Sequence, residues 1–251
     1  SAPADFRTAD YRHSLLGHGS RALEPLPGTR REATDIAALL SVGPWLGDQV
    51  REGRLKQCRS PVVLHLATHG MFLEDEFLPW LDARGRLAAP YRDLELFLPP
   101  RLENPMHRSM VCLAGAQTFL DGGTLPAEAE DGLLTAEDVG GMDLTFTELV
   151  VLSACDTGRG EVKVGEGVFG LRRAFAVAGA RTLVMSLWKV PDEVTHELMV
   201  QFYKELQAGR SRIDALRAAR QWVRWSHPDP YFWGAFILQG DAISPLALTS
   251  S

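Results

Sequence analysis

The chain has 251 residues, 45% of them hydrophobic and 23% charged, with 26 Lys and Arg against 32 Asp and Glu for a formal net charge of −6. That composition excludes collagen-like, disordered and coiled-coil classes, and the negative balance gives no generic affinity for nucleic acid or anionic membranes. A chain of this length forms one large domain or two small ones and buries roughly 70–75% of its extended surface.

No apolar run approaches the ~20 residues of a membrane span. The start, Ser1-Ala-Pro-Ala-Asp-Phe6, has neither the basic nor the apolar part of a signal peptide. With no initiator Met, the chain reads as an excised fragment. Cys58, Cys112 and Cys155 are too few and too irregularly spaced for a disulfide framework or a zinc site. A reducing, cytoplasmic setting is therefore expected.

Residues 1–23 read as a linker or arm, 24–243 as the folded domain and 244–251 as a tail. Thr29-Arg-Arg-Glu32 has the spacing of a capping box, and it predicts a helix whose apolar stripe is Ala33, Ile36, Ala37 and Leu40. Pro61–Ala67 is a short apolar run rich in β-branched residues, which predicts a buried strand. Residues 74–108 carry five prolines and read as a long irregular insertion. Ser109–Ala114 and Gly132–Leu134 are short strand candidates, and Thr135-Ala-Glu-Asp138 caps a short helix. Glu148–Ala154 is the strongest predicted strand. A glycine-rich loop from Gly158 to Gly167 leads into a helix bearing Val168, Leu171, Phe175 and Ala178. Arg181–Trp188 is a further strand, Pro191 starts another helix, Ser211-Arg-Ile-Asp214 caps the next, and Ala235–Leu238 closes the series. Alternating strands and helices predict an α/β sandwich with a mostly parallel central sheet and helices on both faces.

In open α/β sheets, functional residues gather beyond the carboxyl ends of strands. Thr68-His69-Gly70 and Cys155-Asp156-Thr157-Gly158 both fall there. A thiolate at Cys155 with an imidazole at His69 is the pattern of a cysteine nucleophile and its acid–base partner. Nearby glycines let backbone N–H groups approach a substrate oxyanion. Each residue also has a plainer explanation, as a buried small hydrophobe or a hydrogen-bonded core histidine.

Leu64-His-Leu-Ala-Thr-His-Gly70 and Val150-Val-Leu-Ser-Ala-Cys-Asp-Thr-Gly158 resemble the two signature segments of CHAT domains, caspase-like and separase-like cysteine peptidase domains often found after tetratricopeptide repeats. The resemblance continues through Gly165–Phe175, Ala178–Arg181, Ser186–Asp192, Trp233–Asp241 and the entry Leu26-Pro-Gly-Thr-Arg-Arg-Glu32. It implies a caspase-like three-layer sandwich and a cysteine endopeptidase with His69 and Cys155 as the dyad. The N–H groups of Gly70 and Cys155 would form the oxyanion hole. The substrate-binding positions that the resemblance implies are Ser153, Asp156, Trp188 and Asp192, with Asp192 at the base of an S1 pocket for a P1 arginine. The plainer role for Asp192 is a carboxylate at a helix start. His65 sits inside its strand and reads as packed or hydrogen-bonded there. The resemblance implies no metal and no organic cofactor. It implies a protein substrate, control by a tetratricopeptide-repeat or sensor region in the same or another chain, and a part in bacterial defence or cell death.

Other patterns carry less. Gly165-Glu-Gly-Val-Phe-Gly170 matches a dinucleotide fingerprint, but the preceding strand ends about ten residues too early. The spacing from Cys155 to Arg159 does not fit a tyrosine-phosphatase loop. Trp222, Trp225, Tyr231, Phe232 and Trp233 lack the basic groove that base stacking needs and read as packing residues. The alternatives to a peptidase are an inactive peptide-binding module and a nucleotide-binding α/β domain.

Overall fold

The computed structural model describes residues 26–72, 109–156 and 166–246, together with Leu23 and Met106. Almost all of the expected N-terminal arm, the proline-rich insertion up to Pro105 and most of the glycine-rich loop lie outside the described residues.

Among the described residues six strands form one sheet: β1 (Val63–Phe72), β2 (Ser109–Cys112), β3 (Leu133–Thr135), β4 (Leu149–Asp156), β5 (Thr182–Ser186) and β6 (Phe236–Gly240). Their spatial order is β3-β2-β1-β4-β5-β6. The centre, β1-β4-β5, is parallel, and the pairs toward both edges are antiparallel. The helices are α1 (Pro27–Leu39), α2 (Glu52–Lys56), α3 (Ala116–Leu120), α4 (Ala136–Gly140), α5 (Glu166–Val177), α6 (Asp192–Gln207), α7 (Arg212–Ser226) and α8 (Pro230–Trp233). Among the described residues no helix is long and apolar enough to cross a membrane.

Alternation along the central strands sorts the core into two layers, because successive strand residues face opposite sides. Leu64, Leu66, Val150, Leu152, Leu183 and Met185 pack with Val139 of α4 and Leu171 and Phe175 of α5. Leu149, Val151 and Val184 pack on the other side with Ile36 of α1, Leu198 and Phe202 of α6, and Leu216 of α7. The result is the expected caspase-like three-layer sandwich with helices on both faces.

Local signals explain several boundaries. Thr135 and Asp138 form a reciprocal capping box at α4, and the Ser211 hydroxyl accepts from the Asp214 N–H at α7. Gly179, at φ +103°, turns the chain after α5 where an added Cβ would meet Thr145 Cα at 2.9 Å. Arg212, fully buried, reaches Glu148 at 2.5 Å, Asp241 at 3.1 Å and the Thr182 hydroxyl at 3.1 Å, so one guanidinium ties α7 to three strand ends.

Two expectations are corrected. The capping box at Thr29 does not form: Pro27 opens α1 two residues earlier with Leu26 as an uncapped N-cap, and the Thr29 hydroxyl donates to the Leu26 carbonyl at 2.7 Å. Glu32 is instead turned inward and buried. The first strand does not stop at Ala67 either. It runs on to Phe72, because Gly70, Met71 and Phe72 pair antiparallel with Val111, Met110 and Ser109 of β2. The Thr68 hydroxyl fastens that junction by donating to the Cys112 carbonyl at 2.5 Å.

Candidate active site

Parallel pairing fixes the register of β1 on β4 residue by residue, from Val63 opposite Leu149 to Gly70 opposite Asp156. In that register His69 stands opposite Cys155. Two residues far apart in sequence are thus neighbours across one strand-to-strand step, roughly 5 Å at the backbone. His69 is half-buried, and Gly70 is buried between Val111 on one side and Asp156 on the other.

Beside His69 opens a small cleft with about 20 Å³ open to the centre of a water-sized molecule. Its walls come from three sources: Leu26, Thr29 and Glu32 on the first turns of α1; Thr68, His69 and Ser153 at the carboxyl ends of β1 and β4; and Lys189, Asp192 and Thr195 at the start of α6. Three of the residues singled out from sequence, His69, Ser153 and Asp192, therefore meet at one place. Ser153 and Thr195 are each 4% exposed, and their hydroxyls make no hydrogen bond among the described residues. Lys189 is exposed and Asp192 half-exposed.

Trp188 is engaged elsewhere. Its indole N–H donates to the Tyr231 carbonyl at 2.9 Å, and its ring lies 3.5 Å from where a Cβ on Gly234 would sit. It fastens the segment after β5 to α8, while Lys189 and Asp192 line the cleft.

Sequence reasoning missed Glu32, Thr195 and Thr68. A usable signal was present: Thr29 and Glu32, like Asp192 and Thr195, are three residues apart and share a helix face. Glu32 is 1% exposed, with Oε1 2.9 Å from His65 Nε2, and His65 Nδ1 lies 3.1 Å from the Tyr203 hydroxyl. His65 is thus hydrogen-bonded on both ring nitrogens inside its strand. Burial, with the Glu32 carboxylate close by, pushes the Tyr203 phenol well above its ordinary range. The other two thiols are poor nucleophiles: burial pushes Cys112 up to about 12 and raises Cys58 as well, partly offset there by Arg54.

An α/β sandwich that holds a histidine in register with a cysteine at the carboxyl ends of its two central parallel strands is the architecture of the caspase-like group. The CHAT domain family matches residues 7–241, and the chain belongs to that family. It is also similar to tetratricopeptide repeat protein 28 of Homo sapiens, 28% identical over 237 residues and 87% of this chain. The protein of the same name from Mus musculus is 27% identical over the same length. The chain spans 9% of the length of each of these relatives.

Proposed function

We propose that the chain is a cysteine endopeptidase working through Cys155 and His69, and the observation that carries this reading is their register across β1 and β4. The Cys155 thiolate attacks the scissile carbonyl carbon, and the carbonyl electrons move onto oxygen. The N–H groups of Gly70 and Cys155, assigned by family resemblance, hold that oxyanion. His69 carries the thiol proton to the amine as the C–N bond breaks, leaving a thioester on Cys155. Water then gives a proton to His69 and adds to the thioester. Collapse of that adduct releases the acid and returns the proton to sulfur.

Ser153, Asp156, Trp188 and Asp192 are the proposed substrate-binding positions. Asp192 is the proposed base of the S1 pocket, a role supported by the cleft that it lines together with His69 and Ser153. The peptidase domain is proposed to span 24–243, with 1–23 as an arm and 244–251 as a tail. The tetratricopeptide-repeat relatives support control by such a region, in the same or another chain. A reducing, cytoplasmic setting in defence or cell death belongs to the same proposal.

The test is intact mass after incubation with a panel of peptide chloromethyl ketones, on wild type and on Cys155→Ala. One adduct on wild type, mapped to Cys155 and absent from the variant, is the expected result. An adduct that persists in Cys155→Ala, or none at all on folded wild type, overturns the mechanism.

A further inference from the structure

We propose that Thr68 is a positioning residue for the reaction: its hydroxyl, bonded to the Cys112 carbonyl, holds the end of β1 so that His69 and the Gly70 N–H stay aligned with Cys155. The proposal rests on the peptidase reading for what His69, Gly70 and Cys155 do.

β1 changes its support at this point. On one side it runs in unbroken parallel register with β4 from Val63 to Gly70. On the other side, among the described residues, it pairs with β2 over Gly70, Met71 and Phe72. One step further back along that register Cys112 would face His69, but there β2 turns its next amides to other partners. The Leu113 N–H donates to the Gly132 carbonyl at 2.7 Å, and the Ala114 N–H donates to the Val50 carbonyl at 3.0 Å. His69 therefore lies just outside the β1–β2 ladder.

The Thr68 hydroxyl closes that gap. It donates to the Cys112 carbonyl at 2.5 Å, a side chain supplying the link where the backbone ladder has ended. His69 is then bracketed, with a side-chain tether before it and the paired Gly70 after it. One attachment would let the strand end pivot, whereas one on each side fixes where the Cα–Cβ bond of His69 points. A β-branched residue suits the task, because its χ1 is stiff and the tether holds a direction as well as a distance. The anchor is firm too: Val111 and Cys112 are buried, and they pair in turn with Leu134 and Leu133 of β3. The tether points toward β2, while β4 and Cys155 lie on the opposite side of β1. Thr68 thus acts through the backbone and takes no part in proton transfer. A misplacement of about 1 Å at a reacting group can cost about 10²-fold in rate, and it does so without loosening the grip on the rest of the substrate.

Two rates are measured on wild type, Thr68→Val, Thr68→Ser and His69→Ala. One is turnover of the best peptide that wild type selects from a P1-varied library. The other is alkylation of Cys155 by iodoacetamide at about pH 6, located by peptide mass mapping; it needs no substrate and reports the thiolate that a neighbouring imidazolium sustains. Thr68→Val, nearly isosteric, should lower kcat by about 10–100-fold with KM within about threefold of wild type, and slow alkylation toward the His69→Ala rate. Thr68→Ser restores the hydroxyl without the branch and should recover both rates to within about threefold. A merely structural Thr68 would lower the melting temperature of Thr68→Val and leave kcat and alkylation of the folded protein unchanged. That result overturns the proposal, as does a Thr68→Ser protein no faster than Thr68→Val. If Thr68→Val does not fold, Thr68→Ala, which adds no atom to the junction, carries the same expectation, and full rates in it overturn the role. If neither folds, Thr68 holds the fold rather than the site and the proposal fails. Equal alkylation of wild type and His69→Ala, with no peptide cleaved by wild type, refutes the peptidase reading, and the role falls with it. Alkylation faster in wild type than in His69→Ala, yet unchanged in Thr68→Val, overturns the positioning role alone.

Discussion

At the base of the β1–β4 seam, Val63 to Leu66 lie opposite Leu149 to Leu152, between apolar layers on both faces. At its mouth, Thr68 to Gly70 lie opposite Ala154 to Asp156, and a cleft replaces the packed helices. The contrast is sharpest between His65 and His69, two turns of the pleat apart on one strand. His65 is locked between Glu32 and Tyr203, while His69 borders open space beside hydroxyls that lack partners among the described residues. The base spends its polar groups on holding the fold, and the mouth keeps polar groups available for a ligand. What separates them is which residues of α1 and α6 stand over each position.

The comparison breaks most visibly if the mouth proves dispensable. Cys155→Ala should abolish turnover, and His69→Ala should lower it by roughly 10²–10⁴-fold, the usual scale of acid–base help. Both should melt close to wild type by calorimetry. Cys58→Ala and Cys112→Ala should leave turnover intact in the same peptide assay. Turnover that survives in Cys155→Ala would remove the nucleophile from the mouth.

The base should respond in the opposite way. Phe202, fully buried beneath α1 and α7, should cost about 3–5 kcal/mol as Phe202→Ala, read by urea unfolding. A smaller loss would show that the helix layer collapses onto the gap.

The two histidines sharpen the contrast further. His65→Ala strands the buried Glu32 and Tyr203 groups, so it should lose about 1–3 kcal/mol of stability. His69→Ala should lose much less. Equal losses in parallel urea titrations would erase the distinction between base and mouth.

The smallest effect concerns pH. Burial pushes the Glu52 carboxyl, on α2 away from the cleft, up to about 8, opposed by Lys56 at 2.6 Å; neighbouring Asp131 is raised as well. The folded state therefore binds this proton more tightly than the unfolded chain does. Its contribution is complete below the ordinary value of 4.5 and is lost as pH rises through about 8. Glu52→Gln should flatten the stability curve across that window in melting experiments, without moving the pH profile of turnover. A curve that stays as steep would show that Glu52 is not the group responsible.

Much of this was legible before any coordinates. The apolar runs of β4 and β5 are buried on both faces where their side chains are described, and that of β1 on one, and a run of Val and Leu bounded by turn residues states that locally. The caps at Thr135 and Ser211 are likewise local, since side chain and backbone N–H lie three residues apart. The motifs around His69 and Cys155 pointed to the family to which the chain belongs. Glu32 was misread for the same local reason: its spacing from Thr29 fits a capping box, and nothing nearby in sequence reveals His65 as the competing partner.

The sequence by itself thus determined the elements whose causes lie within a few residues: which runs are strands, the caps of α4 and α7, and the apolar faces of α1, α5 and α6. The tertiary structure alone decided what depends on distant partners. Pairing with β2 carried β1 past His69 to Phe72, and parallel register set His69 opposite Cys155. The close packing of α1 on α6 turned Glu32, Thr195 and Asp192 toward one cleft. Hydrogen bonding and packing act over a few ångströms in space, and residues dozens of positions apart come within that range only once the sheet has formed.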